Sequence, residues 1–410
     1  MSSEFAGLML LLGQSRPVLE LHDVLWPHVL GFLIALWVTT AFTPIARKIA
    51  AAGHVYDLPD GGLKPHEQPV PYLGGLAMFL GWAGAMVYGI AAYPGGRGWF
   101  VGLLIAGAIM TALGLVDDVW SIRPRVKLLG QVVAAGVLLA FGMGTRLIMV
   151  FVDGGNWLLG TSIVLPEWLV LGLSGVAVVA LVIAFSNAMN LIDGLDGLCS
   201  GVSAIISLGL AGIALHWALY SVSVTGDPVR IVLALAILGA SLGFLPYNFN
   251  PAKIFMGDAG SMLLGFSAAA MVILFGTEEG SILRWILGAL MVCALPLFDT
   301  TLAVVRRLRN RRPIMAGDRS HFYDQLVDRG LSVRQTVLVC YALAVLFAAL
   351  GCLAIYIRTR YAAIVYVGVV IAIAVAVVAA GMVRKLPPGA DTGVDSSKRR
   401  GRGGRQIHDR

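Results

Sequence analysis

The sequence predicts an all-α, polytopic membrane protein of about eleven transmembrane helices, with its N-terminus outside and its C-terminus in the cytoplasm. Of the 410 residues, 58% are hydrophobic and only 13% are charged, with a mean hydropathy of +0.84, which leaves too little polar surface for a water-soluble globule. Apolar stretches recur from Trp26 to Met382, each near the roughly 20 residues that a helix needs to cross about 30 Å of hydrocarbon. Lysine and arginine, finally, are shared unequally between alternate connections.

In chain order the spans are placed at 26–46, 73–93, 98–116, 126–142, 168–186, 201–220, 231–247, 261–276, 285–305, 335–357 and 361–382. Residues 1–25 are expected to form an N-terminal interfacial lead-in. Glu4 stands where a secretory signal would be basic, and the apolar run Leu8–Leu12 is short for one. Residues 26–382 form the transmembrane domain that carries the candidate chemistry. Residues 383–410, rich in Gly, Arg and Lys, form a basic tail expected to be disordered and drawn to anionic headgroups.

With the N-terminus outside, connections 47–72, 117–127, 187–200, 248–260 and 306–334 and the tail are cytoplasmic. They hold 23 of the 30 Lys and Arg residues, and seven lie outside, as the positive-inside rule requires. The basic residues are thereby assigned to topology and headgroups, and no nucleic-acid partner is expected. In the long outer connection 142–167, Asp153-Gly154-Gly155 between two apolar runs predicts a short hairpin. Cys199, Cys293, Cys340 and Cys352 show neither CxxC nor Cys/His spacing, so neither a disulfide framework nor a zinc site is indicated.

Polar residues unusual in so apolar a chain collect on the cytoplasmic side. The third helix ends Gly114-Leu115-Val116-Asp117-Asp118, two carboxylates at the negative pole of a helix dipole, and Lys127 stands at the positive pole of the next helix. Each placement is unfavourable alone and sensible if the charges meet each other or a cation; a solvated Asp pair at a helix end is the plain alternative. The fifth helix leaves the membrane as Asn187-Ala188-Met189-Asn190-Leu191-Ile192-Asp193-Gly194-Leu195-Asp196-Gly197. Its four oxygen-bearing side chains recur every three residues and would sweep roughly 180° of a continuous helix, so Gly194 and Gly197 are expected to open the backbone into a loop. Hard oxygen donors without His or Cys suit Mg²⁺; a turn capped by its own Asn and Asp side chains is the structural alternative. Phe255-Met256-Gly257-Asp258-Ala259-Gly260-Ser261 leads into the eighth helix, whose positive N-terminus faces the same side. Such a Gly-rich turn suits phosphate, with Asp258 either a ligand or an N-cap.

Asp299 lies inside the ninth span, where a carboxylate is costly; it is read as functional or as orienting Arg306 or Arg307. The loop after it is cationic, Arg306 to Arg312, and continues Asp318-Arg319-Ser320-His321-Phe322-Tyr323-Asp324-Gln325. It would attract a pyrophosphate substrate and anionic lipid, and Arg319 and His321 are its candidate substrate contacts. Lys64-Pro65-His66 to Pro71, followed by Gly74-Gly75, forms either one wall of a nucleotide pocket, with Lys64 and His66 facing substrate, or a Pro-stiffened connector.

Together these segments resemble the polyprenyl-phosphate N-acetylhexosamine-1-phosphate transferase superfamily (glycosyltransferase family 4), in its undecaprenyl-phosphate N-acetylglucosamine-1-phosphate transferase branch. The resemblance spans roughly residues 30–380 and rests on the Lys64 to Gly75 loop, Asp117-Asp118 with Lys127 and Gln131, Asn187 to Gly197, Phe255 to Ser261, and Asp299 with the arginines after it. It implies transfer of a sugar 1-phosphate from a UDP-sugar to undecaprenyl phosphate, with release of UMP, at the cytoplasmic face of a bacterial inner membrane. The implied partners are UDP-N-acetylhexosamine, undecaprenyl phosphate and the bilayer, with a homodimer left open; the implied cofactor is Mg²⁺, with Mn²⁺ as a substitute.

Carried over residue by residue, Asn190 and Asp258 would hold the metal and the diphosphate. Asp117 and Asp118 would position or deprotonate the lipid phosphate, and Lys127 would neutralise phosphate charge. Asn187, Asp193 and Asp196 would organise the metal and nucleotide pocket, and His321 would face the sugar phosphate. One departure stands out: the His-x-His-His-Arg cluster of the N-acetylglucosamine branch is here His321-Phe322-Tyr323-Asp324-Gln325, and Arg319 is the candidate replacement for the missing positive charge. The triple histidine of the phospho-N-acetylmuramoyl-pentapeptide branch, the alternative reading, is absent too. A transporter or lipid flippase, the alternative from another class, would put ionisable residues near the bilayer midplane on broken helices rather than at the inner ends.

Overall fold

The computed structural model describes residues 21–57, 69–220, 227–277, 283–311, 321–379 and 381–382. Most of the expected lead-in and the whole of the tail 383–410 fall outside them, as do Lys64, His66 and Arg319.

Helix dominates because hydrocarbon offers no water to backbone N–H and C=O groups, and a helix satisfies them internally. After short helical turns at Leu21–Leu25 and Trp26–His28 come α1 (Val29–Ala52), α2 (Gly74–Ala92), α3 (Arg97–Trp120), α4 (Pro124–Ala140), α5 (Leu147–Leu159), α6 (Glu167–Ile192) and α7 (Leu198–Tyr220). They are followed by α8 (Asp227–Asn248), α9 (Gly257–Phe275), α10 (Leu283–Val292), α11 (Ala294–Arg309), α12 (Phe322–Asp328), α13 (Val333–Ala354) and α14 (Thr359–Ala379).

Every expected span but the ninth falls on a single helix, and the chain is a multi-pass membrane protein. Among the described residues eight helices are long and apolar enough to cross a bilayer alone, and α10 with α11 makes a ninth if the pair is one bent span. At 17 residues α4 falls short, as does the apolar stretch Thr359–Val375 of α14.

Two expectations are corrected. The ninth span is not one helix over 285–305: α10 and α11 meet at a 74° bend. Pro296 explains the break. It has no N–H to donate to the Val292 carbonyl four residues back and its ring would clash there, so α10 stops at Val292 and Pro296 sits in the first turn of α11, where no donor is needed. Nor is 142–167 a hairpin, since Leu147–Leu159 is helical. Gly154 serves close approach rather than a turn: a Cβ there would come 2.8 Å from Leu283 Cδ2. The chain reverses instead at Gly160, which takes a left-handed φ of 65°.

The core is centred on α9. All but one of its residues from Gly257 to Phe275 are buried, the signature of a helix surrounded on every side, and α2, α3, α6 and α10 pack around it. Even a proline inside α1 is accommodated by a neighbour. Pro44 cannot donate to the Thr40 carbonyl, and the Tyr247 hydroxyl of α8 donates to that oxygen at 3.2 Å instead.

Little β-structure is present among the described residues. Tyr56–Asp57 pairs antiparallel with Val70–Pro71, and Tyr72 bridges to Phe255. This short ladder lies beside the start of α9, where the polar residues gather.

Candidate active site

At one end of the bundle, α3 and α6 finish while α4 and α9 begin. Ser121, with a left-handed φ of 48°, ends α3, and Pro124 starts α4 with its preset φ. This tight turn returns Lys127 to Asp117: the ammonium lies 3.0 Å from Asp117 Oδ2, while Asp117 Oδ1 accepts from Ile122 N at 2.8 Å.

Lys127 also reaches Asp258 Oδ2 at 2.5 Å and Asn190 Oδ1 at 3.3 Å. One cation therefore sits among oxygens from α3, α6 and α9. The other end of the Asn190 amide donates to Asp258 Oδ1 at 2.6 Å and to Ser261 Oγ at 3.0 Å. Asp118 accepts from the backbone N–H groups of Asp258 and Ala259, at 2.7 and 3.2 Å.

The strand segment completes this corner. Phe255 N donates to Pro71 O, and Gly74 N and Gly75 N donate to Phe255 O and Met256 O, each at 2.9 Å. Close approach is possible because α3 carries Gly114, where a Cβ would meet Ala259 N and Asp258 C at 2.4 Å.

The α6 motif divides at its end. Asn187 and Asn190 remain on the helix, and the backbone opens from Asp193 onward, with Gly197 at φ 80°. Asn187 bonds Gln131 Oε1 at 3.2 Å and its own helix at Ile183 O. Asp193 faces the cluster, and no donor among the described residues reaches its carboxylate. Burial first, then the like charges of Asp258, Asp118 and Asp196, push its carboxyl well above the ordinary carboxylate range. Asp196 turns to another task, accepting from Asn250 Nδ2 at 3.0 Å and Ala252 N at 2.9 Å.

His321 starts α12 rather than hanging free in a loop. Its Nδ1 lies 2.8 Å from Asp299 Oδ2, and Phe322 N donates to Asp299 Oδ1 at 2.6 Å, so Asp299 anchors the start of this helix. The imidazole stacks on Tyr323, with ring centroids 5.5 Å apart. Tyr323 in turn donates to Leu191 O at 2.9 Å, which docks α12 against the Asp193 corner.

Asp117, Asp118, Lys127, Asn190 and Asp258 thus form one hydrogen-bonded cluster, with Asp193 in electrostatic reach. Asn187 lies about one turn back along α6, Asp196 braces the 250–252 segment, and Asp299 positions His321. Tyr72 escaped sequence reading. Its phenol contacts Asp118, and burial, then the charges of Asp118, Asp258, Asp193 and Asp57, raise its pKa. The available signal was its place two residues before Gly74-Gly75 in a polar loop.

The donor set fits a hard divalent cation. A positive group already sits among oxygens of Asp117, Asn190 and Asp258, and Asp193 offers a carboxylate without a protein donor. Among the described residues no group of three His, Cys, Asp or Glu side chains converges on one point. Few protein ligands, with the remaining positions left to water and substrate phosphate, is the habit of Mg²⁺.

Comparison with known proteins identifies the family. The sequence profile of Glycosyl transferase family 4 matches residues 100–276, which include the whole cluster. The chain is 35% identical over 322 residues, 78% of its own length and 83% of the relative's, to the Bacillus subtilis protein named "Probable undecaprenyl-phosphate N-acetylglucosaminyl 1-phosphate transferase". It is 32% identical over 403 residues, 92% and 94% of the two chains, to decaprenyl-phosphate N-acetylglucosaminephosphotransferase of Mycobacterium tuberculosis. A phospho-N-acetylmuramoyl-pentapeptide-transferase of Desulforudis audaxviator is 30% identical over 351 residues, 78% of this chain and 95% of that one.

Proposed function

This chain belongs to glycosyl transferase family 4, the polyprenyl-phosphate N-acetylhexosamine-1-phosphate transferases, and we propose that it moves N-acetylglucosamine 1-phosphate from UDP-N-acetylglucosamine to undecaprenyl phosphate. The products are UMP and a lipid-linked diphosphosugar that begins a cell-envelope glycan. The observation that carries this reading is the convergence of Asp117, Lys127, Asn190 and Asp258 at one end of a membrane bundle. A reaction between a water-soluble nucleotide sugar and a lipid phosphate needs its charged groups at such a boundary. With eleven spans and the N-terminus outside, 23 of the 30 Lys and Arg residues fall on this side of the membrane, which supports a site at the cytoplasmic face of the inner membrane.

Phosphoryl transfer asks the protein mainly for positioning and charge neutralisation. An oxygen of the lipid phosphate attacks the β-phosphorus of the donor, the bond from that phosphorus to the bridging oxygen breaks, and UMP leaves with the electron pair. Lys127 Nζ holds phosphate oxygens against their mutual repulsion. Asp117, 3.0 Å from that ammonium, takes any proton remaining on the acceptor phosphate. Asp258 and Asn190 would hold Mg²⁺, which when bound supplies neutralisation of the diphosphate and of the leaving UMP. Asp193 faces the same charge, and His321, held by Asp299, faces the sugar phosphate. The acceptor's tail follows the groove of about 610 Å³ between α11 and α14, lined by Leu297, Phe298, Leu302, Tyr366 and Ile373 with Arg309 among its walls.

The test is UMP release by the purified protein given undecaprenyl phosphate, Mg²⁺ and separate UDP-sugars. UDP-N-acetylglucosamine is expected to be turned over and chelation to stop the reaction; turnover of UDP-N-acetylmuramoyl-pentapeptide in its place would overturn the assignment. A covalent phosphosugar-enzyme trapped without acceptor would overturn direct attack.

A further inference from the structure

Asp117 and Asp118 are adjacent in sequence, yet their carboxylates have separate tasks. Asp117 meets Lys127 and the turn after α3. Both oxygens of Asp118 are instead taken by backbone donors of another helix, Oδ1 by Asp258 N at 2.7 Å and Oδ2 by Ala259 N at 3.2 Å.

Those two N–H groups lie in the first turn of α9, where no intrahelical carbonyl can receive them. Met256, which precedes α9, has no side-chain oxygen to cap it. Asp118 supplies that oxygen from a position 140 residues away. The turn is wrapped around it: Gly257 takes φ 68°, and a Cβ there would come 2.5 Å from Asp118 Oδ2. A carboxylate is favourable at the positive pole of α9, which offsets its unfavourable place at the end of α3. Tyr72 adds a hydrogen-bonding contact to the same group.

We propose that Asp118 is a positioning residue, an N-cap supplied by one helix to another, which sets Asp258 in register with Asn190 and Lys127 and does not touch substrate. The proposal rests on the transferase reading only in giving Asp258 its task at the metal and diphosphate. Asp117 is then the member of the pair that works on the acceptor phosphate, and Asp118 acts through the backbone of Asp258.

Hydrogen–deuterium exchange on the metal-free protein tests this without any substrate. In Asp118→Ala the amides of Asp258 and Ala259 are expected to exchange about tenfold faster or more, because each loses a charge-assisted acceptor. Asp118→Asn, which keeps one acceptor oxygen, is expected to lie between, and Asp117→Ala to exchange as wild type does. In turnover, Asp118→Asn is expected to need about tenfold more Mg²⁺ for half-activation while keeping most of kcat at saturation. Asp117→Asn is expected to lose kcat at every Mg²⁺ concentration.

Unchanged exchange at Asp258 and Ala259 in Asp118→Ala overturns the proposal. So does loss of kcat in Asp118→Asn at all Mg²⁺ concentrations. Should Asp118→Ala fail to fold, Asp118→Asn carries both measurements. A wild-type protein without transferase activity would overturn the proposed function while leaving the exchange result to decide the cap.

Discussion

Asn190 Nδ2 donates to Asp258 Oδ1 at 2.6 Å, joining the last turn of α6 to the first turn of α9 across 68 positions of sequence. The same amide accepts from Lys127 and donates to Ser261, so both of its ends are committed. Asn190→Ala removes three contacts from the centre of the cluster and lets Asp258 drift. We expect kcat/KM to fall about 100-fold, the usual consequence of a misplacement near 1 Å. Steady-state UMP release measures it, and a loss under about tenfold would place Asn190 outside the reacting centre.

Lys127→Met leaves Asp117 and Asp258 facing one another without their shared cation. The three side chains keep 16, 17 and 21% of their exposure, so the full cost of breaking a buried pair is discounted. The variant should lose about 1–3 kcal/mol of stability without metal, and part of that should return on adding Mg²⁺. Thermal unfolding with and without Mg²⁺ reads both effects; equal unfolding temperatures for variant and wild type would mean that the ammonium is not the resident counter-charge.

Asp193 gives the site a pH-dependent stability. Its folded-state carboxyl titrates above its unfolded value of about 4, so between the two values the folded protein binds more protons than the unfolded chain, and stability falls as pH rises. Asp193→Asn removes that penalty. Without metal, the variant should match wild type near pH 4 and become progressively more stable than wild type as pH rises, levelling off above the folded value, while losing transferase activity. Unfolding curves across pH check the sign, and a variant less stable than wild type at high pH would refute it.

Asp299→Ala should release the start of α12. Asp299 and His321 are 2 and 5% exposed, and the substitution leaves both His321 Nδ1 and Phe322 N without their acceptor. About 2–4 kcal/mol of stability should be lost, with Asp299→Asn milder because it keeps one acceptor oxygen. Faster proteolysis around residues 321–328 in a folded variant reports the loosened helix, and unchanged cleavage would contradict the anchoring role.

Two glycines of neighbouring helices should respond oppositely to alanine. In Gly114→Ala the new Cβ would lie 2.4 Å from backbone atoms of Asp258 and Ala259, which cannot rotate aside. A loss of about 3 kcal/mol or more is expected, together with activity. Gly136, inside α4, has nothing within 4 Å of such a Cβ, and Gly136→Ala should gain about 0.5–1 kcal/mol. Unfolding temperatures that shift the same way in both would dissociate the effect from packing.

Much of this was legible from contiguous residues. A 20-residue apolar run commits its segment to helix whatever surrounds it, because backbone polar groups in hydrocarbon must pair internally. Asp117 to Lys127, Asn187 to Asp196 and Phe255 to Ser261 could likewise be picked out because carboxylates and amides are costly in so apolar a chain. Pro296 lay in plain view inside the span read as one helix over 285–305, yet the break there emerged only with the fold.

Partnership lay beyond such reading. Gly154 looks like part of a turn until Leu283 is found packed against it, and Asp117 and Asp118 look alike until one meets an ammonium and the other a helix N-terminus. By itself the sequence determined that the chain is helical, that it lives in a membrane and which side chains carry hard oxygen donors, since these follow from local composition and spacing. Only the tertiary structure decided which carboxylate meets an ammonium, which meets a helix N-terminus and which braces a loop, because a side chain's partners come from tens to hundreds of residues away.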